Sequence, residues 1–476
     1  MSTIRPISIE PQETPSAQLL GAGLTIGFAV MVAMWVVWFL THMPATTGMF
    51  PPVVAGPVLL AVLVVGVWAG TRLVPGASRP AVGALAGLVA GLVNLLVLFS
   101  FLTEGTGVAA DPAAKAKAME AGVAVAQVKP GAALMAGGWL VGCTLLGLLA
   151  GVVARAGGGG AREMPSAQRW LCRFACVACA AIVPLLALGG LVTTSKSGFA
   201  VPDWPGTYGG NMFLYPLELM NNPRVYLEHT HRLFGSMVGL TTLVLCAFSL
   251  LRAPTPWHKV AAVVLLVLVI TQGVLGGLWT QDKKIWMVLV HGTLGQLFLG
   301  LTAAYAASLS DAWARWRDDA SAGALKLPRW GTVVLVGFLL IMLSLGTMIR
   351  HMNHTHALWT HVGFSIIPVL TAVLVGARFM SKKAEPTHGR SLWWVGHVPM
   401  IVVGVQFALG WVALLAYLGD DTRKIAAPVA ETLTAAPDID PVRLLVRTAH
   451  QANGALLMAS AWVMMAWGLA RARQKP

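Results

Sequence analysis

The chain has 476 residues, of which 57% are hydrophobic and only 11% charged, with a mean hydropathy of +0.72. That composition excludes a soluble or disordered protein and predicts a multi-spanning membrane protein. The net charge of +14 fits loops that face anionic membrane lipid, so no nucleic-acid partner is invoked.

The first eighteen residues are polar, carry Pro6, Pro11 and Pro15, and lack the basic and apolar regions of a signal peptide. Twelve stretches are long and apolar enough to span: 19–41, 52–71, 82–102, 133–154, 172–192, 231–251, 259–280, 288–309, 331–350, 357–377, 393–417 and 447–470. The predicted fold is therefore all-α and polytopic, with about 12 transmembrane helices. An even number of spans puts both termini on one side. The tail, the even-numbered loops and the C-terminus hold about 20 of the 33 Lys and Arg residues. Arg155, Arg162, Arg169, Arg315, Arg317, Lys326, Arg329, Lys382, Lys383, Arg471 and Arg473 are among them. Both termini are expected in the cytoplasm, with the chain in the cell (inner) membrane.

Helices one to four have no histidine within a span and little charge. Gly83, Gly87 and Gly91 form a GxxxGxxxG stripe, which lets helix backbones approach in lipid. The block reads as a packing or assembly surface, dispensable for chemistry. His42 falls at a helix end and reads as solvated. The segment from Glu104 to Lys129 is Ala-rich and mixed in charge, with no pattern that assigns it a structure. Gly157 to Gly160 predict a flexible linker. Three parts result: 1–160, an N-terminal four-helix membrane domain, then 161–310 and 311–476. The five cysteines, Cys143, Cys172, Cys176, Cys179 and Cys246, read as small apolar filler.

The last eight helices read as a duplication, two tandem pseudo-symmetric four-helix bundles. Helices six, eight, ten and twelve each carry one histidine near the same end: His231, His291, His361 and His450. One turn on lie Gly235, Gly295, Ser365 and Gly454. Residues i and i+4 share a helix face, so a small residue there leaves room for a flat macrocycle whose metal the imidazole binds. A single such pair is equally a polar contact between helices. Four at matched depth favour one porphyrin in each half. A zinc site fits less well, because the histidines fall into two pairs and the second lacks nearby carboxylates. His258 and His388, on loops, and His397, near the opposite helix end, read as solvated or interfacial.

The two halves differ. Glu228 lies three residues before His231 and Arg232 follows it, whereas Leu358 and Val362 flank His361. Glu228 and His231 share a helix face, and a carboxylate at that depth in a membrane helix is functional by default. The bland alternative is an exposed ion pair between Glu228 and Arg232, four residues on, at the water interface. The first half also has a long loop containing Lys196 to Pro205, KSGFAVPDWP, where the second has only Arg350 to His356, RHMNHTH. An acid under a covering loop suits a reactive site. A plain histidine pair suits a permanent electron-transfer cofactor.

At these residues the chain resembles the haem A synthase family. The matching parts are GGLVTTSKSGFAVPDWP, the Glu228 to Arg232 motif, VHGTLGQ around His291, LGTMIRH ending at His351, and AHQANGALLMA around His450. The resemblance covers about 168–473, leaving helices one to four outside. It implies an oxidoreductase that converts haem O to haem A, for cytochrome oxidase, by oxidising a porphyrin methyl group to formyl. It implies haem b on His361 and His450, substrate haem O near His231 and His291, and Glu228 as the important acid, with the haem sites toward the outer face. Haem O synthase and an electron donor are the implied partners, and an oligomer is compatible with it. Many members carry a cysteine pair in the first outer loop of the core; this chain has none. Arg350 and Arg447 lie at the same level and are expected to pair with haem propionates. The alternative is a di-haem b membrane electron carrier, or a haem-binding oxidase assembly factor, without hydroxylation.

Overall fold

The structure is a computed structural model and describes residues 14–44, 51–106, 112–121, 126–319, 328–424 and 426–470. Among these, twelve helices are long and apolar enough to cross a membrane, and the protein is an all-α polytopic membrane protein. They are α1 Pro15–His42, α2 Pro52–Thr71, α3 Arg79–Leu98, α4 Ala132–Ala156, α5 Ala167–Thr194 and α6 Pro223–Arg252. They continue as α7 Pro256–Asp282, α8 Ile285–Ser308, α9 Arg329–Met352, α10 Thr355–Phe364 resuming at Ile366–Met380, α11 Gly389–Leu418 and α12 Pro441–Leu469. Pro6, Pro11, Lys326, Arg471 and Arg473, named above, lie outside the described residues.

Local chemistry sets the ends that matter. Helix α6 begins two turns before its apolar stretch, because Asn222 caps it, accepting from the Arg224 N–H at 2.9 Å, and Pro223 occupies N1. Glu228 and His231 therefore sit in its second and third turns. Helix α10 breaks at Ser365 because Pro368 has no N–H to return to the Phe364 carbonyl.

Helices α5–α8 close into one four-helix ring and α9–α12 into another, and α12 also packs along α5 and α8, so the rings share a wall. The glycine stripe on α3 does pack closely: a β-carbon at Gly83 or Gly87 would strike the backbone of α4 at Gly147 or Cys143. The first block shares a continuous core with the first ring. Trp35 packs edge-on to Phe234 at 5.4 Å, Phe28 to Phe174 at 5.2 Å, and the Tyr226 hydroxyl donates to the Phe39 carbonyl at 2.8 Å.

Three expectations are corrected. The glycine run is not a slack tether: Gly158, Gly159 and Gly160 adopt positive φ and their segment wraps buried Arg79, which donates to the Gly158 and Gly159 carbonyls. His258 and His388 are buried, not solvated; His258 bonds Thr255 Oγ1 at 2.7 Å and His388 bonds Asp319 at 2.9 Å. The short helix Asp311–Asp318 covers the second of these with Trp316. His42 is half-buried, its Nδ1 on the Trp38 carbonyl at 2.9 Å. The segment after Glu104, to which the sequence assigns no structure, forms a two-stranded hairpin (Thr103–Gly105 with Ala126–Val128) and a helix, Pro112–Glu120.

Candidate functional site

A single cavity of about 1100 Å³ crosses the shared wall of the two rings. All the residues that the sequence singles out line it: Glu228, His231, His291, His361, His450, Arg350 and Arg447. His351 lines it too. His354 instead caps α10 through the Ala357 N–H at 3.3 Å, and His356 is exposed.

Each of the four histidines lies against a glycine of the preceding helix. A β-carbon at Gly189, Gly276, Gly346 or Gly410 would stand 3.2, 2.9, 3.7 or 3.4 Å from Cε1 of His231, His291, His361 or His450. One turn before these glycines come Leu185, Gln272, Met342 and Gln406. The Nδ1 of His291 meets the Gln272 carbonyl at 3.1 Å and that of His361 meets the Met342 carbonyl at 3.1 Å. A ring that donates Nδ1–H to a carbonyl keeps its Nε2 lone pair free for a metal. His450 differs: the Gln406 amide nitrogen, a donor, faces its ring at 3.3 Å from Nδ1 and 3.4 Å from Nε2, so no carbonyl holds its Nδ1–H. The His361 and His450 ring centroids are 6.3 Å apart at 73°.

Sequence reasoning misses these glycines, although Gln272-x-x-x-Gly276 and Gln406-x-x-x-Gly410 repeat in helices seven and eleven. The small residues one turn after the histidines have a different use in part. Gly295 and Gly454 make room for the Gln272 and Gln406 amides, which come within 3.4 and 3.1 Å of where a β-carbon would stand, whereas Gly235 borders open cavity.

Over the first site, Glu228 and Arg232 form a buried ion pair, Nε to Oε1 3.0 Å, each side chain 7% exposed. The exposed-pair alternative is thereby excluded. Arg232 also fastens the loop, donating to the carbonyls of Asp203 at 2.5 Å, Gly206 at 3.0 Å and Val201 at 3.0 Å. The loop is stiffened from within: the Asp203 carboxylate accepts from the Tyr208 and Gly209 N–H groups at 2.7 and 2.9 Å. Trp204 lies flat on α7 at Gly277, where no side chain would fit, and Gln281 donates to its carbonyl at 2.9 Å. A brace comes from the first block. Lys115 is fully buried, donates to the Leu219 carbonyl, and lies 5.7 Å from the ring centres of both Tyr208 and Tyr215.

At the rim, Arg447 pairs with Asp420 at 3.0 Å and Arg443 with the same carboxylate at 3.3 Å. Burial alone would raise the Asp420 carboxyl, but the Thr422 hydroxyl and amide, with Arg447 and Arg443, outweigh it and hold the group below its ordinary value. Arg350 bonds Gln451 and, at 2.9 Å, the Arg447 carbonyl, and it reaches Thr194 of α5 at 3.4 Å, tying the rings together.

Among the described residues no three His, Cys, Asp or Glu side chains converge as ligands of one ion. The fold and site thus define a polytopic helical membrane protein whose two four-helix rings each bring two histidines to a common cavity. The chain belongs to the COX15-CtaA family, described as cytochrome oxidase assembly protein, whose model matches residues 172–475. That match begins within α5 and ends beyond α12, and it leaves α1–α4 outside. Membership is consistent with a role in haem A biosynthesis. No curated protein and no solved structure matches the chain.

Proposed function

We propose that the protein is a haem A synthase, a membrane oxidoreductase that converts haem O to haem A by oxidising a porphyrin methyl group to formyl. The observation that carries this is the asymmetry of the halves: a buried acid–base pair under a fastened loop beside His231, against Leu358 and Val362 beside His361. A permanent electron carrier needs no such acid, which disfavours the di-haem b reading.

His361 and His450 would hold haem b, and the residues fit it. Their ring centroids stand 6.3 Å apart at the cavity, a separation at which both imidazoles would reach one haem iron. A macrocycle brings its own four donors, so two protein ligands suffice where a bare ion needs more. Bound haem b supplies one-electron transfer. Arg350 and Arg447, at the rim, offer positive charge to propionates.

Substrate haem O occupies the side of His231 and His291. Converting the methyl group to formyl adds one oxygen atom, taken from water, and releases four electrons and four protons; the electrons pass to a membrane electron acceptor, and Glu228 accepts one of the protons or offsets developing positive charge. Arg232 holds both Glu228 and the loop over this side of the cavity. A haem O-producing enzyme and a membrane electron partner complete the scheme. The Lys and Arg distribution supports cytoplasmic termini and histidines toward the outer face. The test is to extract haem from membranes that express the protein with a haem O source. Formyl haem in the extract supports the oxidation. Haem b and haem O alone would leave an electron carrier or assembly factor.

A further inference from the structure

A second cavity, of about 710 Å³, lies away from the histidine site, where the first block meets the core. Its shape follows from three helix contacts. α1 meets α2 closely: a β-carbon at Gly66 or Gly70 would stand 2.8 or 2.6 Å from Val30 or Ile26. α1 also meets α5 closely, since a β-carbon at Gly21 would stand 3.2 Å from that of Trp170. α2 and α5 barely touch each other. A groove therefore runs between them, with α1 as its floor. Its α2 wall extends from Val58 to Leu73, about 22 Å at 1.5 Å per residue, longer than the roughly 15 Å of one hydrocarbon leaflet. Ala29 and Ala33 of α1, and Ala61 and Val65 of α2, line it one turn apart and are exposed.

The apolar walls carry one charge. Arg173 lines the groove from the second turn of α5. Its guanidinium lies 4.6 Å from the centre of the Trp170 ring, and its Nη1 is buried with no partner. The side chain as a whole is only half-buried, so the rest of the fork is within reach of the groove. Arg169, one turn earlier, already has Asp311 at 2.9 Å. Among the described residues no carboxylate pairs with Arg173, nor with Arg72, which follows α2 beside Leu73 and adds a second cation at the same end. An arginine that merely snorkels extends to the interface; this one is folded onto a tryptophan at the edge of an apolar groove. A cation at that depth calls for an anion. Free phosphate would answer the charge and leave the groove bare, whereas a phospholipid answers both.

We propose that the groove binds one anionic phospholipid, its phosphate on Arg173 and one acyl chain laid between α2 and α5. The lipid joins the first block to the core at the one side where their helices leave a gap. The site stands whether or not the histidine cavity oxidises haem.

The test uses the full-length protein in phosphatidylcholine vesicles that hold a trace of phosphatidylglycerol, or of phosphatidylcholine, with a photoactivatable group in one acyl chain. Labelled peptides are then mapped. Phosphatidylglycerol should label residues 29–33 and 58–65 about fivefold more than phosphatidylcholine, the worth of one cation near the membrane surface. Arg173→Gln should erase that preference and Arg173→Lys should keep it. Ala29→Leu with Ala61→Leu fills the groove from exposed positions, which spares the fold even if an Arg173 variant inserts poorly. It should remove groove labelling by both lipids and leave labelling at Leu145 and Leu149, which are 58% and 56% exposed on α4. Equal labelling by the two lipids in wild type, or a preference that survives Arg173→Gln, would overturn the proposal. So would groove labelling no stronger than that at Leu145 and Leu149, which is the level of passing bilayer lipid.

Discussion

Glu228→Gln separates chemistry from architecture, and the structure gives the scale. Glutamine keeps an oxygen for the Arg232 Nε–H, so the 3.0 Å contact becomes a neutral-acceptor hydrogen bond. Bonds to charged groups contribute about 1.5–3 kcal/mol and neutral ones about 0.5–1.5. The loop thus loses about 1–1.5 kcal/mol of fastening, roughly tenfold in its open population. Its other anchors, the three Arg232 bonds to loop carbonyls and the Trp204 seat on Gly277, remain. Loss of a general acid–base group costs about a hundredfold or more. Haem A formation per loaded protein should therefore fall at least a hundredfold, with haem O or a partly oxidised haem accumulating, while protease cleavage within residues 196–222 rises no more than tenfold. A fall in turnover of tenfold or less that tracks loop cleavage would refute the argument and leave Glu228 as the counter-ion of a loop anchor.

Further outcomes are expected. His361→Ala or His450→Ala should each remove the low-spin haem b spectrum from purified protein; a spectrum surviving both at normal occupancy would reassign the ligands. Gly276→Ala puts a methyl 2.9 Å from the His291 ring and Gly346→Ala only 3.7 Å from His361, so the first should cost about 1–3 kcal/mol in thermal stability and the second little; the reverse order would contradict the ring packing. The Asp420 carboxyl is held below its ordinary value, so its stabilisation is present above the unfolded pKa of about 3.9 and is lost as pH falls through the lower folded value. Asp420→Asn should flatten that acid limb of the melting-temperature profile, and an unchanged limb would show that the rim network contributes nothing. Removing residues 1–160 strips Lys115 from the loop, α1 from α5, and Trp35 and Phe39 from Phe234 and Tyr226 of α6; haem b loading should survive with faster cleavage of the loop, and unchanged cleavage would make the brace idle.

The helices are legible because a membrane span is written in one local variable, apolar length. The four histidines and Glu228 stand out for the same reason, as polar groups at fixed depth in apolar runs. What cannot be read are relations across helices. Gly189, Gly276, Gly346 and Gly410 are ordinary membrane glycines until the imidazoles of the next helix are seen against them. His258 and His388 look solvated because their neighbours in sequence are loop residues, while the groups that bury them, Tyr305 and Trp316, come from elsewhere in the chain. The glycine run looks slack because its partner, Arg79, is some eighty residues away. In the same way Glu228 and Arg232 are adjacent in any reading, but their burial is decided by the loop that Arg232 itself holds.

Lys115 lies upstream of residue 172, where the family match begins, yet it ends beneath Tyr208 and Tyr215 of the loop over the first site. Part of the free energy that keeps this loop down is therefore stored in contacts between the loop and a segment foreign to the eight-helix core. Two equilibria that share a contact are linked, and linkage is reciprocal. Whatever draws the first block away from the core, a thinner bilayer or a bound partner, loosens the loop by the free energy of that shared contact. By the same amount, a ligand that binds only beneath the closed loop fastens the first block to the core, so occupancy of the site is readable as docking of helices that never touch the ligand.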